Sequence, residues 1–145
     1  MISRKDTRGQ LRTLLTTALV DGDPRLVQSI YDFQNQEFEG ESPVVLIYSG
    51  GSNRPQATLV GHGTEMHIWV DVFVSLTADG AYTEEDAEDR LDDIEAEVAG
   101  VVEANANTAN WRNLRYQDVS TVFDVKIGGV PYIRELIPLV VEVLG

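Results

Sequence analysis

Two histidines and a glutamate fall within six residues, His62, Glu65 and His67, and imidazole with carboxylate is a zinc-binding donor set. The spacing works against convergence. His62 stands between two glycines and His67 belongs to an alternating strand, so an ordinary loop histidine and an ordinary strand histidine describe them better than a metal site. Ser49-Gly50-Gly51-Ser52-Asn53-Arg54 is the one glycine-rich stretch worth testing as a phosphate cradle. Such a cradle needs a helix N-terminus behind it, often with a lysine. Here Pro55 and another strand-like segment follow, and the G-x-S-x-G spacing of a nucleophile elbow is missing. A surface hairpin with Arg54 available for contacts fits better. Glu84, Glu85, Glu88, Asp89, Asp92 and Asp93 could pass for a carboxylate metal site or an acid–base pair. Catalytic carboxylates need burial or a close partner to separate their pKa values, and an EF-hand needs alternating ligands around a glycine. A solvated run supplies neither.

The composition narrows the field further. The chain has 145 residues, 24 acidic against 11 basic side chains and a formal charge of −13. With 43% hydrophobic residues it reads as one globular domain over residues 1–145. The pI near 4.3 argues against groove binding to nucleic acid, which needs a basic footprint. No apolar run approaches the ~20 residues of a membrane helix, and the polar stretch Met1–Gln10 lacks the pattern of a secretory signal. There are no cysteines, which removes disulfides, thiolate metal sites and a cysteine nucleophile.

The elements that would position any site follow from periodicity. Leu11, Leu14, Leu15, Ala18 and Leu19 make an apolar helical stripe within Lys5–Val20, stopped by Asp21-Gly22-Asp23-Pro24. A period of two then predicts strands over Leu26–Phe33, Pro43–Ser49 (ended by Gly50-Gly51), Gln56–Val60 and Met66–Leu76, with Gln34–Ser42 as a loop. In the last strand Met66, Ile68, Val70, Val72, Val74 and Leu76 share one face; His67, Trp69, Asp71, Phe73 and Ser75 share the other, which reads as half wet. A second helix, Thr83–Val102, has an apolar stripe of Ala87, Leu91, Ile94, Val98 and Val101, with Thr83 as N-cap. Eleven acidic residues lie between Asp79 and Glu103, against Arg90 alone. After a polar connector at Asn105–Asn110, Trp111–Tyr116 reads as extended. Val119–Val125 and Val130–Leu144 read as strands joined by a hairpin turn at Lys126-Ile127-Gly128-Gly129. Pro138 predicts an edge strand or a bulge. The order predicts a two-layer α+β fold, a mainly antiparallel mixed sheet with helices packed on one face. Trp69 and Phe73 on one strand face are either covered by one of the helices or part of a subunit interface.

The succession of elements resembles the tail terminator, or tail-completion, proteins of long-tailed bacteriophages. The likeness runs over nearly the whole chain. A short helix leads to the strand Pro43-Val44-Val45-Leu46-Ile47-Tyr48, the Gly51–Arg54 loop, the long strand Met66–Leu76 and an acidic helix with Leu91 and Ile94. Trp111, Leu114-Arg115-Tyr116, Gly-Gly-Val-Pro-Tyr and the closing Ile-Pro-Leu-Val-Val-Glu-Val strand complete it. The resemblance implies a structural virion protein without catalysis, cofactor or metal. It would form a homo-hexameric ring on the tail tube, end tube polymerisation, offer a docking surface to head-connector and neck proteins, and let DNA pass through its lumen without specific binding. Its place would be the tail–head junction of the virion, and the host cytoplasm during assembly.

Arg54, Trp69, Phe73, Tyr132 and Arg134 are the candidate subunit or partner contacts, and charge reversal at Arg54 or Arg134 is expected to spare folding while impairing assembly. Another neck or head–tail joining protein would look similar. An acidic binding module that blocks a basic partner is the alternative from a different class. An enzyme ranks third, with His62, His67 and Asp71 as its best candidates.

Overall fold

A computed structural model describes residues 3–35, 37–38, 40–53, 64–76 and 84–143. The first helix, α1 (Arg4–Leu15), opens on a capping box in which the Ser3 side chain accepts the Asp6 N–H and Asp6 returns the bond to the Ser3 backbone. It runs into a π-helical turn at Thr16–Val20, so the predicted helix is continuous but its last turn is widened. Leu11, Leu15 and Leu19 are fully buried along it. The strands are β1 (Ser29–Tyr31), β2 (Val44–Asn53), β3 (Thr64–Ser75), β4 (Trp111–Tyr116), β5 (Thr121–Ile127) and β6 (Val130–Val143). A second helix, α2 (Glu84–Ala104), lies between β3 and β4. The expected Gln56–Val60 strand and the Thr83 cap fall outside the described residues.

The sheet has the order β1-β2-β3-β6-β4, with β5 on the same flank of β6 as β4. It is antiparallel except for β1, which pairs parallel to β2. The long β1–β2 connection permits this, since parallel neighbours cannot be joined by a tight hairpin. Three expectations change here. The strand expected over Leu26–Phe33 shrinks to three residues. The strand expected to end at Gly50 continues to Asn53, with a register shift between Ser49 and Gly51 that Gly51 absorbs at φ 119°. And β6, expected at an edge or bulged, is internal. Its flank opposite β3 is divided between β5, which pairs up to Leu136, and β4, which pairs from Leu139. The Pro138 carbonyl accepts the Gln117 N–H at 2.8 Å, so the side of residue 138 that lacks an N–H faces the seam between these two short strands. No ladder bond is lost there. The β5–β6 turn is the predicted glycine pair, Gly128 and Gly129 at φ 57° and 80°, as a two-residue hairpin of this hand requires.

Both helices pack on one face of the sheet. Leu11, Leu15 and Leu19 join Ala87, Leu91, Ile94, Val98 and Val102 over a floor that includes Val45, Ile47, Val70, Val72, Ile137, Leu139 and Val141. Trp111 closes one end, its indole N–H donating to the Asn105 carbonyl at 2.8 Å. Leu91, 2% exposed, stands in this core. Leu91→Ala is expected to cost about 2–5 kcal/mol in urea unfolding. Leu91→Asp, which buries an unpaired charge, is expected to abolish cooperative unfolding and near-UV circular dichroism.

Candidate functional site

Among the described residues, the opposite face of the sheet carries no helix. Along β3 it presents Glu65, His67, Trp69, Asp71, Phe73 and Ser75, and the two ends of this row meet different fates. At one end the segment after β1 folds back and inserts Phe38, which packs edge-on against Phe73 and Tyr132 with ring centroids 4.9 and 5.6 Å apart. Val44 and Leu46 complete this second, smaller core. Phe73 and Tyr132 are thus buried within the chain rather than offered at its surface, and a loop covers them where a helix was one of the two expectations.

Asp71 occupies the middle of the row. Its side chain is 1% exposed and that of Arg134 is 24% exposed. Arg134 Nε and Nη2 donate to the two carboxylate oxygens at 2.7 and 2.6 Å, and the Tyr48 hydroxyl donates to Oδ2 at 2.9 Å. The guanidinium is held between two rings, with Cζ 5.1 Å from the Phe73 centroid and 4.8 Å from that of Phe123. Burial pushes the Asp71 carboxyl up, against the opposing pull of Arg134 and Tyr48. Burial and the neighbouring Asp71 charge push the Tyr48 phenol up to about 12. The hydrogen bonds to Asp71 hold the guanidinium in its charged form. With every strong bond satisfied, the group is a clasp between β2, β3 and β6, not a poised acid or base. A cavity of about 390 Å³ opens beside it, walled by Phe38, Tyr48, Val125 and Ile127.

Among the described residues, the other end of the row stays open. Trp69 lies half-buried against Gly50, where a Cβ would fall 2.7 Å from the indole nitrogen, so only glycine fits. Trp69, Leu136, Pro138 and Val119 line a second hollow of about 470 Å³. Val119 is 82% exposed. His67 closes this end with its ring between Gln117 Oε1 (2.8 Å) and Glu65 Oε1 (3.2 Å). That pairing accounts for the histidine without a metal. Among the described residues, no group of three histidines or carboxylates converges to hold one.

Of the sequence-predicted contacts among the described residues, Trp69 alone remains at the surface, half-buried. Arg134 is built into the clasp, and Arg54 and His62 lie outside the described residues. Charge reversal at Arg134 cannot spare folding, contrary to the expectation above, because it would set a glutamate against the buried Asp71. Phe123 and Val119 escaped sequence reasoning; the alternation over Val119–Val125 predicted a strand but not which of its faces would stay uncovered. On the far side of the sheet α2 turns Glu85, Asp86, Glu88, Asp89, Asp92, Asp93, Glu97 and Glu103 to solvent. Among the described residues no helix is long and apolar enough to cross a membrane.

No family model matches the chain, and no curated protein does. Among solved structures it is similar to one whose name states no function, with a TM-score of 0.58 and 14% identity over 99% of this chain and 96% of that one. At that identity the likeness shows a shared fold.

Two outcomes test the clasp. Arg134→Glu is expected to lower stability by about 3–5 kcal/mol, whereas replacing the pair together, Asp71→Leu with Arg134→Met, is expected to be far milder. Thermal unfolding of the two variants separates them. The raised Tyr48 phenol favours the folded state up to the ordinary value of 10.0, and this contribution drains away as pH climbs through about 12. Tyr48→Phe is therefore expected to flatten the loss of stability with pH in that window, followed by phenolate absorbance and circular dichroism together.

Proposed function

We propose that this protein is a ring-forming tail terminator of a long-tailed phage, which caps the tail tube and receives the head connector. The observation that carries the reading is the division of one small chain into a binding side and a refusing side. The helix-free face offers Trp69, Phe123 and Val119 as apolar contact surface, and clustered exposed apolar residues mark interfaces. The opposite surface carries the eight exposed α2 carboxylates, which repel both nucleic acid and further acidic copies. Ending a polymer requires that asymmetry: one surface recognises the last ring, and another accepts no further subunit.

The sheet edges suit a ring. Among the described residues β1 pairs only with β2 on one side, and β4 and β5 pair only with β6 on the other. Two different edges favour head-to-tail, heterologous contact, which closes into a cyclic assembly when the rotation allows. The whole-chain succession of elements supports the same reading. In it the partners are six copies of the chain, the tail tube protein and the neck proteins. DNA passes an acidic wall that does not hold it, and the protein works in the virion after assembly in the host cytoplasm.

The eight exposed carboxylates on one helix also favour a second reading, an acidic module that occupies the binding surface of a basic protein. Light scattering across salt concentration tests between them. The terminator reading expects a species of six times the 16.0 kDa chain mass, alone or on tube ends, and tubes of fixed length in its presence. Stable one-to-one binding to a basic partner with no effect on tubes would favour the module. Val119→Glu, at an exposed site, is expected to leave unfolding unchanged and to weaken ring or tube-end binding by about tenfold or more.

A further inference from the structure

The two flanks of the sheet carry features that match. Just past β1, Phe33 is 54% exposed, a large apolar ring left in water. The ring is not loose. Phe33 stands edge-on against Tyr31, with centroids 5.6 Å apart, and the Tyr31 hydroxyl is tied down by donating to Glu41. Tyr31 in turn pairs with Leu46 in the β1–β2 register and packs on the small core around Phe38. Phe33 is therefore a braced knob, and little side-chain freedom remains to be lost when a partner covers it.

Across the sheet lies the hollow of about 470 Å³ formed by Trp69, Leu136, Pro138 and Val119. An apolar cavity of ~150 Å³ already accepts benzene, so a phenyl ring enters this one with room for its flanking residues. Charge agrees with shape. Asp118 brings a carboxylate to the rim of the hollow, while Arg12, half exposed, stands beside the knob and reaches Asp32 at 3.9 Å. In the strand order β1 is at one end of the sheet, and β4 with β5 at the other. Braced at the β1 edge, Phe33 does not line the hollow of its own chain; the Phe33 of a neighbour can.

We infer that Phe33 of one copy seats in the Trp69–Pro138 hollow of the next, a head-to-tail joint that repeats from subunit to subunit. The inference rests on the ring reading above and supplies its joint. The two halves of the contact are different surfaces, so each copy gives its knob on one side and its hollow on the other, which is heterologous association. The joint covers an exposed ring in an apolar site and sets Arg12 toward Asp118, in a chain whose surplus of like charge otherwise opposes contact between copies. It leaves α2, on the other face of the sheet, out of the contact.

Light scattering of the intact protein at about 1 mM, where even a weak contact is populated, tests this with two variants. Phe33→Ala removes the knob and Val119→Glu spoils the hollow. Both residues are exposed, and both variants are expected to unfold as wild type does. Wild type is expected to grow beyond a dimer, and each variant alone to associate about tenfold or more weakly. Mixed in equal amounts, the variants are expected to give dimers and nothing larger, because the knob of the Val119→Glu chain still finds the hollow of the Phe33→Ala chain. Phe33→Ala that assembles like wild type would overturn the joint. So would a mixture that stays monomeric, or wild type that stays monomeric or stops at a dimer, the mark of a reciprocal two-fold contact. Tube assays read the function separately. Large species that are lost with Phe33→Ala yet leave tubes untouched keep the joint and sink the terminator reading; tubes capped normally by Phe33→Ala do the reverse.

Discussion

The twelve-residue ladder between β3 and β6, from Thr64↔Val143 to Ser75↔Tyr132, is the constraint from which the rest of the structure follows. Once these two strands pair in register, alternation divides their side chains into two sets. Met66, Ile68, Val70, Val72, Ile137, Leu139 and Val141 point one way and demand a cover. The two amphipathic helices supply it. Trp69, Asp71, Phe73, Tyr132, Arg134, Leu136 and Pro138 point the other way, and no helix remains to cover them. A register slip of one residue would exchange the two sets and leave Asp71 facing the helices, so the pairing is specified by charge as well as by apolar pattern.

The helix side was largely legible in the sequence. The stripe from Ala87 to Val98 and the unbroken alternation from Met66 to Val74 are long and regular, and long regular signals survive tertiary context. The helix-free side was not. Phe73 and Tyr132 read as surface candidates because they alternate with core residues, yet their cover is Phe38, from a polar segment whose periodicity gives no sign that one aromatic ring turns inward. Asp71 was visible as an anomaly in an apolar strand, but its partner is 63 residues away and its pairing is diagonal across β3 and β6. Sequence spacing carries no record of such a contact. Pro138 misled for a related reason. A proline argues against an internal strand only when the flank it faces holds a continuous ladder, and here that flank is split between two short strands.

The two buried carboxyl groups described in the sheet, Asp71 and Glu135, show opposite solutions to one problem. Removing a carboxylate from water is costly unless something returns its lost hydration. Asp71 is compensated by a bidentate guanidinium and a phenol, and the guanidinium is itself sheltered by Phe73 and Phe123. Every member of that group has a partner, so it fixes the relation of β2, β3 and β6. Glu135 receives only a serine hydroxyl, with further carboxylates above it. The first arrangement holds charge in place. In the second, burial pushes the Glu135 carboxyl up and the Ser120 hydrogen bond opposes it.

This contrast bears on how a chain of net charge −13 can associate with copies of itself. The Asp71–Arg134 pair leaves the helix-free side with a neutralised centre, ringed by aromatic and aliphatic groups, so apposing that surface against a neighbour adds little charge repulsion. The surplus negative charge instead follows α2 to the far side of the sheet. In the proposed ring, contacts made through the sheet edges and the open face would keep the acidic helices off the subunit joints, where screening by salt suffices to hold their mutual repulsion in check. The requirement that β3 and β6 alternate therefore does two things at once: it builds the core on one side and decides on which side the protein can be approached.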